Sequence, residues 1–264
     1  MLAAPVPEFE HAFDSDLLLR MRLAEEKSFW SQARSRLIVW SIAEYFPDAQ
    51  SFLEVGCGIG IVLRAARREF PHLRIAGGEI HTASLELAAA RTGGVDLFQF
   101  DGRRIPFEEE FDLVGCFDVL EQVRDDELVL AQMFSALRPG GGLILSLPQH
   151  PRLWSAADVW DQHVRRYTKG ETMRKVVAAG FEILRVTSFV FFLLPLMAIS
   201  RLRARNLDRY DPLGELELAP WLQAPLAAVL RLELGLIKAG VSLPAGGSLV
   251  VIARRPVSGT SWSS

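Results

Sequence analysis

The sequence predicts an α/β fold with a mainly parallel sheet, and two observations support this. First, residues 52–55 form a short apolar run, glycines follow at positions 56, 58 and 60, and apolar side chains then recur at helical spacing over 59–70. A strand, a glycine turn and a helix in this order form a nucleotide-binding crossover. Second, more apolar runs follow, at 73–78, 95–100, 111–117 and 143–147. Helical patterns separate most of them, which is typical of a parallel sheet covered by helices.

The glycine turn indicates which kind of ligand binds. Glycine lets the chain turn sharply and lets its backbone lie against a ligand, because no Cβ intervenes. A dinucleotide fingerprint needs its third glycine at position 61, which is Ile61 here, and Glu54 precedes the first glycine by two residues. The spacing therefore disfavours an oxidoreductase that uses NAD or NADP, although that alternative stays open.

Acidic residues follow the second and third predicted strands. Glu79 comes directly after the run 73–78, where an acid accepts hydrogen bonds from both ribose hydroxyls of a nucleotide. The alternative is a solvated loop acid. Asp101 and Gly102 follow the run 95–100, and such a pair also makes an ordinary turn.

The later segments continue the alternation. The spacing predicts a helix over 125–137, which the Arg-Pro-Gly-Gly-Gly segment 138–142 ends as a turn. Strand five is predicted at 143–147 and is closed by Pro148. The remaining predicted elements are a helix at 169–179, a sixth strand at 181–190 and a seventh at 247–253.

The order of these elements resembles that of the class I S-adenosylmethionine (SAM) methyltransferases, in particular the bacterial small-molecule enzymes of types 11, 12 and 23. The stretch Glu54-x-Gly56-x-Gly58-x-Gly60 resembles their motif I, and 111–123 resembles their motif IV. The resemblance covers about residues 50–190 and the last strand. It implies a Rossmann-like seven-stranded sheet in the order 3-2-1-4-5-7-6, SAM as methyl donor and S-adenosylhomocysteine as product.

The resemblance also implies a set of cofactor contacts. The glycine loop surrounds the methionine part of SAM, Glu79 faces the ribose and Asp101 faces the adenine amino group. Trp30 lies in a Phe-Trp-x-x-x-Arg stretch that many bacterial relatives share, and it either contacts the ligand or only packs the N-terminal helices onto the sheet. The implied contacts are Glu54, Gly56, Cys57, Gly58, Gly60, Glu79, Ile80, Asp101, Gly102, Phe117, Asp118, Leu120 and Trp30.

Catalytic candidates lie in the segment after strand five, at 148–168. Its His-x-Arg-Arg-Tyr-Thr stretch resembles one in a bacterial methyltransferase group, and it supplies His163 and Tyr167. Imidazole can accept a proton near neutral pH, so His163 is the candidate general base. The alternative is that both side chains only bond the loop to the core. No metal is expected, because Gln122 stands where the quinone-pathway branch has a histidine.

The predicted organisation is an N-terminal helical lid (1–48), a SAM-binding core (49–190 with 247–256), a helical insertion (191–246) and a disordered tail (257–264). The apolar run 189–199 contains Pro195 and is too short to span a bilayer. The insertion is expected to cap the acceptor pocket or belong to the core. A dimer contact and a membrane anchor that uses Arg201, Arg203 and Arg205 are the alternatives.

Composition sets the remaining expectations. The 264 residues carry a net charge of −3, which does not favour nucleic-acid binding. The two cysteines, Cys57 and Cys116, predict reduced thiols, and the first residues lack the pattern of a signal peptide, so a cytoplasmic monomer or homodimer is expected. We expect methyl transfer to a small-molecule or lipid-like acceptor, most readily at oxygen, with a non-catalytic SAM-binding partner subunit as the alternative.

Overall fold

The computed structural model describes Ala24 and residues 28–203 and 219–257. The start of the predicted N-terminal helical region, Arg205 and residues 258–264 of the predicted tail therefore lie outside the described residues. The helices are α1 (Phe29–Tyr45), α2 (Ile61–Glu69), α3 (Thr82–Thr92), α4 (Asp126–Ala136), α5 (Ala156–Trp160), α6 (Lys169–Ala178), α7 (Leu194–Arg203) and α8 (Pro220–Lys238). The strands are β1 (Ser51–Val55), β2 (Arg74–Glu79), β3 (Asp96–Gln99), β4 (Phe111–Phe117), β5 (Leu137–Pro148), β6 (Glu182–Phe189) and β7 (Ser248–Arg254).

The strands form one sheet in the order β3-β2-β1-β4-β5-β7-β6, which confirms the predicted order. The pairs among β1 to β5 are parallel, and β7 runs antiparallel to both β5 and β6. All five residues of β1 are buried, as expected for a central parallel strand with helices on both faces. The carboxyl ends of β1, β2 and β4 consequently meet at one edge, where open α/β sheets bind ligands.

Strand five is longer than predicted, and the predicted turn at 138–142 is wrong. The preceding helix ends at Ala136, and β5 begins at Leu137, which pairs with Phe111. Gly140 N–H donates to the carbonyl of Arg255 (2.9 Å), and Arg255 N–H donates to the carbonyl of Gly141 (2.8 Å). The segment after β7 thus supplies hydrogen-bond partners for this glycine-rich part of β5, where the register with β4 shifts and Gly140 has a φ of 85°.

The insertion contributes to the core through α8. Leu230, Leu234 and Ile237 of α8 belong to one buried cluster with Leu37 of α1 and Phe189 of β6. Each such side chain stabilises the fold by about 1.5–3 kcal/mol when it is fully buried.

Glu233 fixes the same helix to the end of β6. Its fully buried carboxyl accepts hydrogen bonds from the backbone N–H groups of Phe191 (2.9 Å) and Phe192 (3.2 Å). Burial raises the pKa of Glu233, and these two N–H groups offset part of that rise. No helix in the described part of the chain combines the length and hydropathy needed to cross a bilayer.

Candidate active site

The glycine loop after β1 is fastened to β2 by its own backbone. The N–H groups of Gly56 and Cys57 donate to the carbonyl of Gly78 at 2.8 and 3.0 Å. Gly56, Gly58 and Gly60 all have positive φ angles of 73°, 51° and 78°. A Cβ on Gly56 would lie 2.3 Å from the Val119 side chain, whereas a Cβ on Gly58 would meet no atom within 4 Å. Gly58 therefore faces open space, which fits a ligand that lies directly against the loop.

Glu79 is held by backbone donors on both of its oxygens. Oε2 accepts from Gly58 N–H (2.9 Å), and Oε1 accepts from the N–H groups of Ile80 (2.8 Å) and His81 (3.0 Å). A carboxylate offers about four lone-pair positions, so one position remains open for a ligand hydroxyl. Contact with both ribose hydroxyls, as predicted, therefore requires the Gly58 N–H to give up its bond.

Arg34 of α1 places a positive charge near the acidic residues Glu54 and Asp118. Its guanidinium pairs with Asp118, which follows β4, and lies 4.5 Å from the centroid of the Trp30 ring. Trp30 thus supports Arg34 through a cation–π contact. Sequence reasoning quoted Arg34 only as the end of the Phe-Trp-x-x-x-Arg stretch and gave it no role, although the spacing of four residues places it on one helix face with Trp30.

Glu54 is buried beneath the loop. Burial raises the pKa of Glu54 to about 8, although the charge of Arg34 lowers it in part. Its Oε2 has no hydrogen-bond partner among the residues that the structure describes. A buried carboxyl oxygen without a partner next to an open loop fits a site that a polar ligand completes.

The other predicted cofactor contacts lie around the same edge. The carboxylate of Asp101 accepts from the backbone N–H (2.9 Å) and the guanidinium (2.6 Å) of Arg103. Burial would raise the pKa of Asp101, but these bonds to Arg103 lower it overall. An adenine amino group would therefore share Asp101 with Arg103.

Several of the predicted contact residues are buried in the core next to the site. Phe117 and Leu120 are buried in the core on either side of Asp118, and Gly102 lies between the side chains of Val55 and Val129. Both cysteines are free and buried, and burial raises the pKa of Cys57 so that it stays a thiol.

Asp158 of α5 organises the loop after β5. Its carboxylate accepts from His163 Nδ1 (3.0 Å), Arg166 Nε (2.6 Å) and Ser155 N–H (2.8 Å). Burial would raise the pKa of Asp158, but His163 and Arg166 outweigh that effect and lower it to about 2. Asp158 is therefore ionised at neutral pH and orients the imidazole of His163. The sequence identified His163 but gave no sign that Asp158 would be its partner.

Tyr167 points away from this loop into the core. Its hydroxyl donates to Asp126 of α4 (2.7 Å), and Lys175 and Arg165 bind the same carboxylate oxygen at 2.6 and 2.8 Å. Burial and Asp126 raise the pKa of Tyr167 far above its ordinary value. This arrangement matches the alternative in which Tyr167 bonds the loop to the core.

A groove of about 490 Å³ lies between the segment after β5 and α7 of the insertion, and we refer to it as the His150 groove. Its lining residues are His150, Pro151, Arg152, Leu153, Thr168, Leu194, Ala198 and Ala245. His150 has a positive φ of 64°, and its buried Nε2 has no hydrogen-bond partner among the described residues. The groove therefore has mainly apolar walls, and the unpartnered nitrogen of His150 is itself buried.

Comparison with known proteins agrees with this architecture. The Methyltransferase domain family (Methyltransf_23) matches residues 23–186. A ubiquinone/menaquinone biosynthesis C-methyltransferase of Desulfotalea psychrophila is 27% identical over 143 residues, which cover 51% of this chain and 56% of that protein. A ubiquinone biosynthesis O-methyltransferase of Pseudomonas fluorescens is 30% identical over 119 residues, which cover 43% of this chain and 51% of that protein. The chain thus spans about half the length of these curated relatives.

A solved structure extends the likeness to the whole fold. A SAM-dependent methyltransferase of Thermotoga maritima superposes with a TM-score of 0.58 at 18% identity and covers 91% of this chain and 95% of that chain. At that identity the likeness shows the fold alone. The family match, however, extends over more than half of the chain and includes the glycine loop, Glu79 and the His163 loop. The chain therefore belongs to the class I SAM-dependent methyltransferases.

Proposed function

We propose that the protein methylates a hydroxyl oxygen of a small, mainly apolar acceptor that binds in the His150 groove. The observation that carries this proposal is the groove itself, whose walls are mostly aliphatic and whose polar groups are few. Pockets of this kind bind apolar ligands and fix their orientation through a small number of polar contacts. The relatives named for ubiquinone biosynthesis methylate at oxygen or carbon, and both names fit an apolar acceptor.

The methyl donor is SAM, and we assign its contacts from the residues at the sheet edge. Glu79 is placed to bind a ribose hydroxyl, and Gly58 leaves room for the ligand at the loop. Arg34 and Asp118 present a cation and an anion side by side, which matches the carboxylate and ammonium at the amino-acid end of SAM. SAM supplies a sulfonium methyl group, and the protein's main contribution to transfer is alignment.

A hydroxyl must lose its proton when its oxygen is methylated, so O-methylation calls for a group that can accept that proton. The ionised Asp158 binds Nδ1 of His163, which leaves Nε2 as the ring nitrogen that can accept a proton. We therefore assign His163 as the general base. Tyr167 is assigned a structural role, because its hydroxyl is committed to Asp126.

A methylation panel tests this function. The protein is incubated with radiolabelled SAM and alkylphenols of increasing chain length, with alkylamines of matched length beside them. We expect transfer to the alkylphenols, and we expect Ala198→Trp to abolish it because the indole fills the groove. Leu196→Trp, on the exposed face of the same helix, is the matched control and should stay active. Both variants should bind S-adenosylhomocysteine normally, and full activity of Ala198→Trp would show that the groove does not hold the acceptor.

A further inference from the structure

Glu121 is a buried carboxyl group that the proposed function does not yet explain. It lies in the short helical turn Leu120–Gln122 after β4, and its side chain is fully buried. Neither carboxyl oxygen has a hydrogen-bond partner from another described residue. Such a group costs stability unless it is neutral or has a role that maintains it.

The His163 loop is held directly against Glu121. Val164 N–H donates to the backbone carbonyl of Glu121 (2.7 Å), and His163 N–H donates to the backbone carbonyl of Asp158 (2.8 Å). These two bonds place the imidazole between two acidic side chains. Nδ1 lies 3.0 Å from Asp158 Oδ1, and Nε2 lies 3.8 Å from Glu121 Oε1.

The two acids differ in protonation state. Asp158 is ionised at neutral pH, as described above. Burial raises the pKa of Glu121 to about 8, although its own backbone N–H and the charge of Arg34 lower it in part, so the group is mostly neutral at pH 7. The charged and titratable groups that face Glu121 are Arg34, Asp161, Arg166, His163, Cys116 and Tyr167.

Glu121 also lies close to the cofactor residues. The charge of Arg34 acts on both Glu54 beneath the glycine loop and Glu121. Arg34 pairs with Asp118 at the end of β4. The same positive charge therefore acts both on the cofactor residues and on Glu121 beneath the His163 loop. Nε2 of His163 is therefore on the side of the loop that faces Glu121 and the end of β4.

We propose that Glu121 is a positioning residue that, with Asp158, makes Nε2 of His163 the proton acceptor for the methylated hydroxyl. This assignment rests on the proposed O-methylation. In the step, the hydroxyl proton passes to Nε2, the oxygen–methyl bond forms, the methyl–sulfur bond breaks and the electron pair stays on sulfur. One positive charge is thereby lost from the sulfonium and gained by the imidazole. Asp158 stabilises that imidazolium directly, and the adjacent carboxyl of Glu121 ionises more readily beside it.

Two kinds of phenol separate this role from a purely structural one. An alkylphenol must lose its proton during transfer, whereas a nitrophenol that is ionised at the assay pH has no proton to give. We expect Glu121→Gln to slow methylation of the alkylphenol about tenfold or more and His163→Gln about a hundredfold, in the range of general-base catalysis. Both variants should methylate the ionised nitrophenol at nearly the wild-type rate. Glu127→Gln makes the same change on the exposed face of α4 and should leave both rates unchanged.

The possible results separate the role of Glu121 from the proposed O-methylation. Equal losses on both phenols would make Glu121 structural, and unchanged rates on both would also overturn the assignment. Glu121→Asp keeps a carboxyl group and should retain an intermediate alkylphenol rate, which gives a second measurement if the Gln variant fails to bind S-adenosylhomocysteine. If the wild-type protein methylates no phenol, the proposed O-methylation fails and this assignment fails with it. If it methylates phenols and only the variant results differ from expectation, the function stands and the role of Glu121 falls.

Discussion

The glycine loop and the loop after β5 are built from different parts of the chain. At the glycine loop the polar contacts are made mainly by backbone groups, since Gly56, Cys57 and Gly58 all use their N–H groups. In the loop after β5 the contacts are made by side chains, and Asp158 binds both His163 and Arg166. A site built from backbone needs only glycines at fixed spacing. A site built from side chains needs particular side-chain pairs, and local sequence does not indicate which residues will pair.

The two regions also keep a buried acid in different ways. Glu54 and Glu121 are both fully buried, and burial raises the pKa of each to about 8. Glu54 lies on a central strand, where the sheet fixes its backbone on both sides. Glu121 lies in a single helical turn whose carbonyl accepts from Val164 in the loop. The difference indicates that substitutions near the glycine loop alter stability and cofactor binding, whereas substitutions at His163 and its acidic partners alter chemistry.

The largest expected effect concerns the pH dependence of stability at Glu54. Its pKa in the folded protein is raised from 4.5 to about 8, so the folded state binds more protons than the unfolded state between these values. Wild-type stability should therefore fall as pH rises from about 5 to 8, with each pKa unit worth about 1.4 kcal/mol. Glu54→Gln should reduce that fall by on the order of 3–5 kcal/mol in urea unfolding at pH 5 and pH 8. Glu44→Gln on the exposed face of α1 is the control, and an identical fall in all three proteins would contradict the buried state of Glu54.

The second prediction concerns Tyr167, which links the later loop to the core. Tyr167→Phe removes a hydrogen bond to the charged carboxylate of Asp126 and should lower the free energy of unfolding by about 1.5–3 kcal/mol. Its methylation rate on an alkylphenol should stay close to that of the wild type when both are folded. A large loss of rate with unchanged stability would instead place the hydroxyl in the reaction.

The third prediction concerns Glu79 at the cofactor edge. Glu79→Ala should weaken binding of S-adenosylhomocysteine by about 1–3 kcal/mol in calorimetry, because a ribose hydroxyl and the Gly58 N–H lose their acceptor. Glu86→Ala removes an exposed carboxylate from α3 and is the matched control. Equal affinity of the two variants would remove Glu79 from the cofactor site.

Much of the cofactor edge follows from local sequence. The glycine spacing and the acid after the second strand predict the position of Glu79, because these patterns act over a few residues. The sheet order was instead implied by the resemblance to the class I SAM methyltransferases. The error at 138–142 has a different cause. That segment is an irregular part of β5, where Arg255, more than a hundred residues later, pairs with Gly140 and Gly141.

The later loop shows the same limit more strongly. His163 stands out as an imidazole after strand five, yet its partners depend on a five-residue helix and on a turn about forty residues earlier. Arg34 is likewise paired with Asp118 through an approach of α1 to β4 that local spacing does not encode. The polar residues that follow the carboxyl ends of the strands could therefore be predicted from the sequence. The partners of the buried charged side chains could not.

The fourth prediction compares two glycines that both have a positive φ and open space where a Cβ would lie. Gly58 and Gly93 have φ angles of 51° and 45°, and a Cβ on either would meet no atom within 4 Å. An alanine at either position should lower the free energy of unfolding by at least about 1 kcal/mol, because a side chain disfavours positive φ. Only Gly58→Ala should also weaken S-adenosylhomocysteine binding, by about tenfold or more, since its Cβ would enter the space left for the ligand. If the two variants bind the ligand equally well, the open space at Gly58 is not the cofactor site.

The smallest expected effect concerns the outer face of α7. Leu196 and Ile199 of α7 and Phe192 just before it are exposed apolar residues, with exposed fractions of 54%, 48% and 43%, while Leu194 and Ala198 line the groove. An interfacial membrane helix combines such a face with cations that are free to meet lipid headgroups. Here Arg201 Nη1 instead donates to Ser155 Oγ at 3.4 Å, toward the loop after β5.

We therefore expect this face to be neutral for both folding and membrane attachment. The double variant Leu196→Glu with Ile199→Glu should change the free energy of unfolding by no more than about 0.5 kcal/mol per site, as is usual for exposed positions. It should also retain methyl transfer, unlike Ala198→Trp on the inner side. Val177→Glu, at another exposed apolar position on α6, controls for the added charge. In flotation with anionic vesicles we expect no binding by any of these proteins. If the wild type binds strongly and only the double variant does not, α7 is a membrane anchor, because its outer face is then the surface that contacts the vesicles.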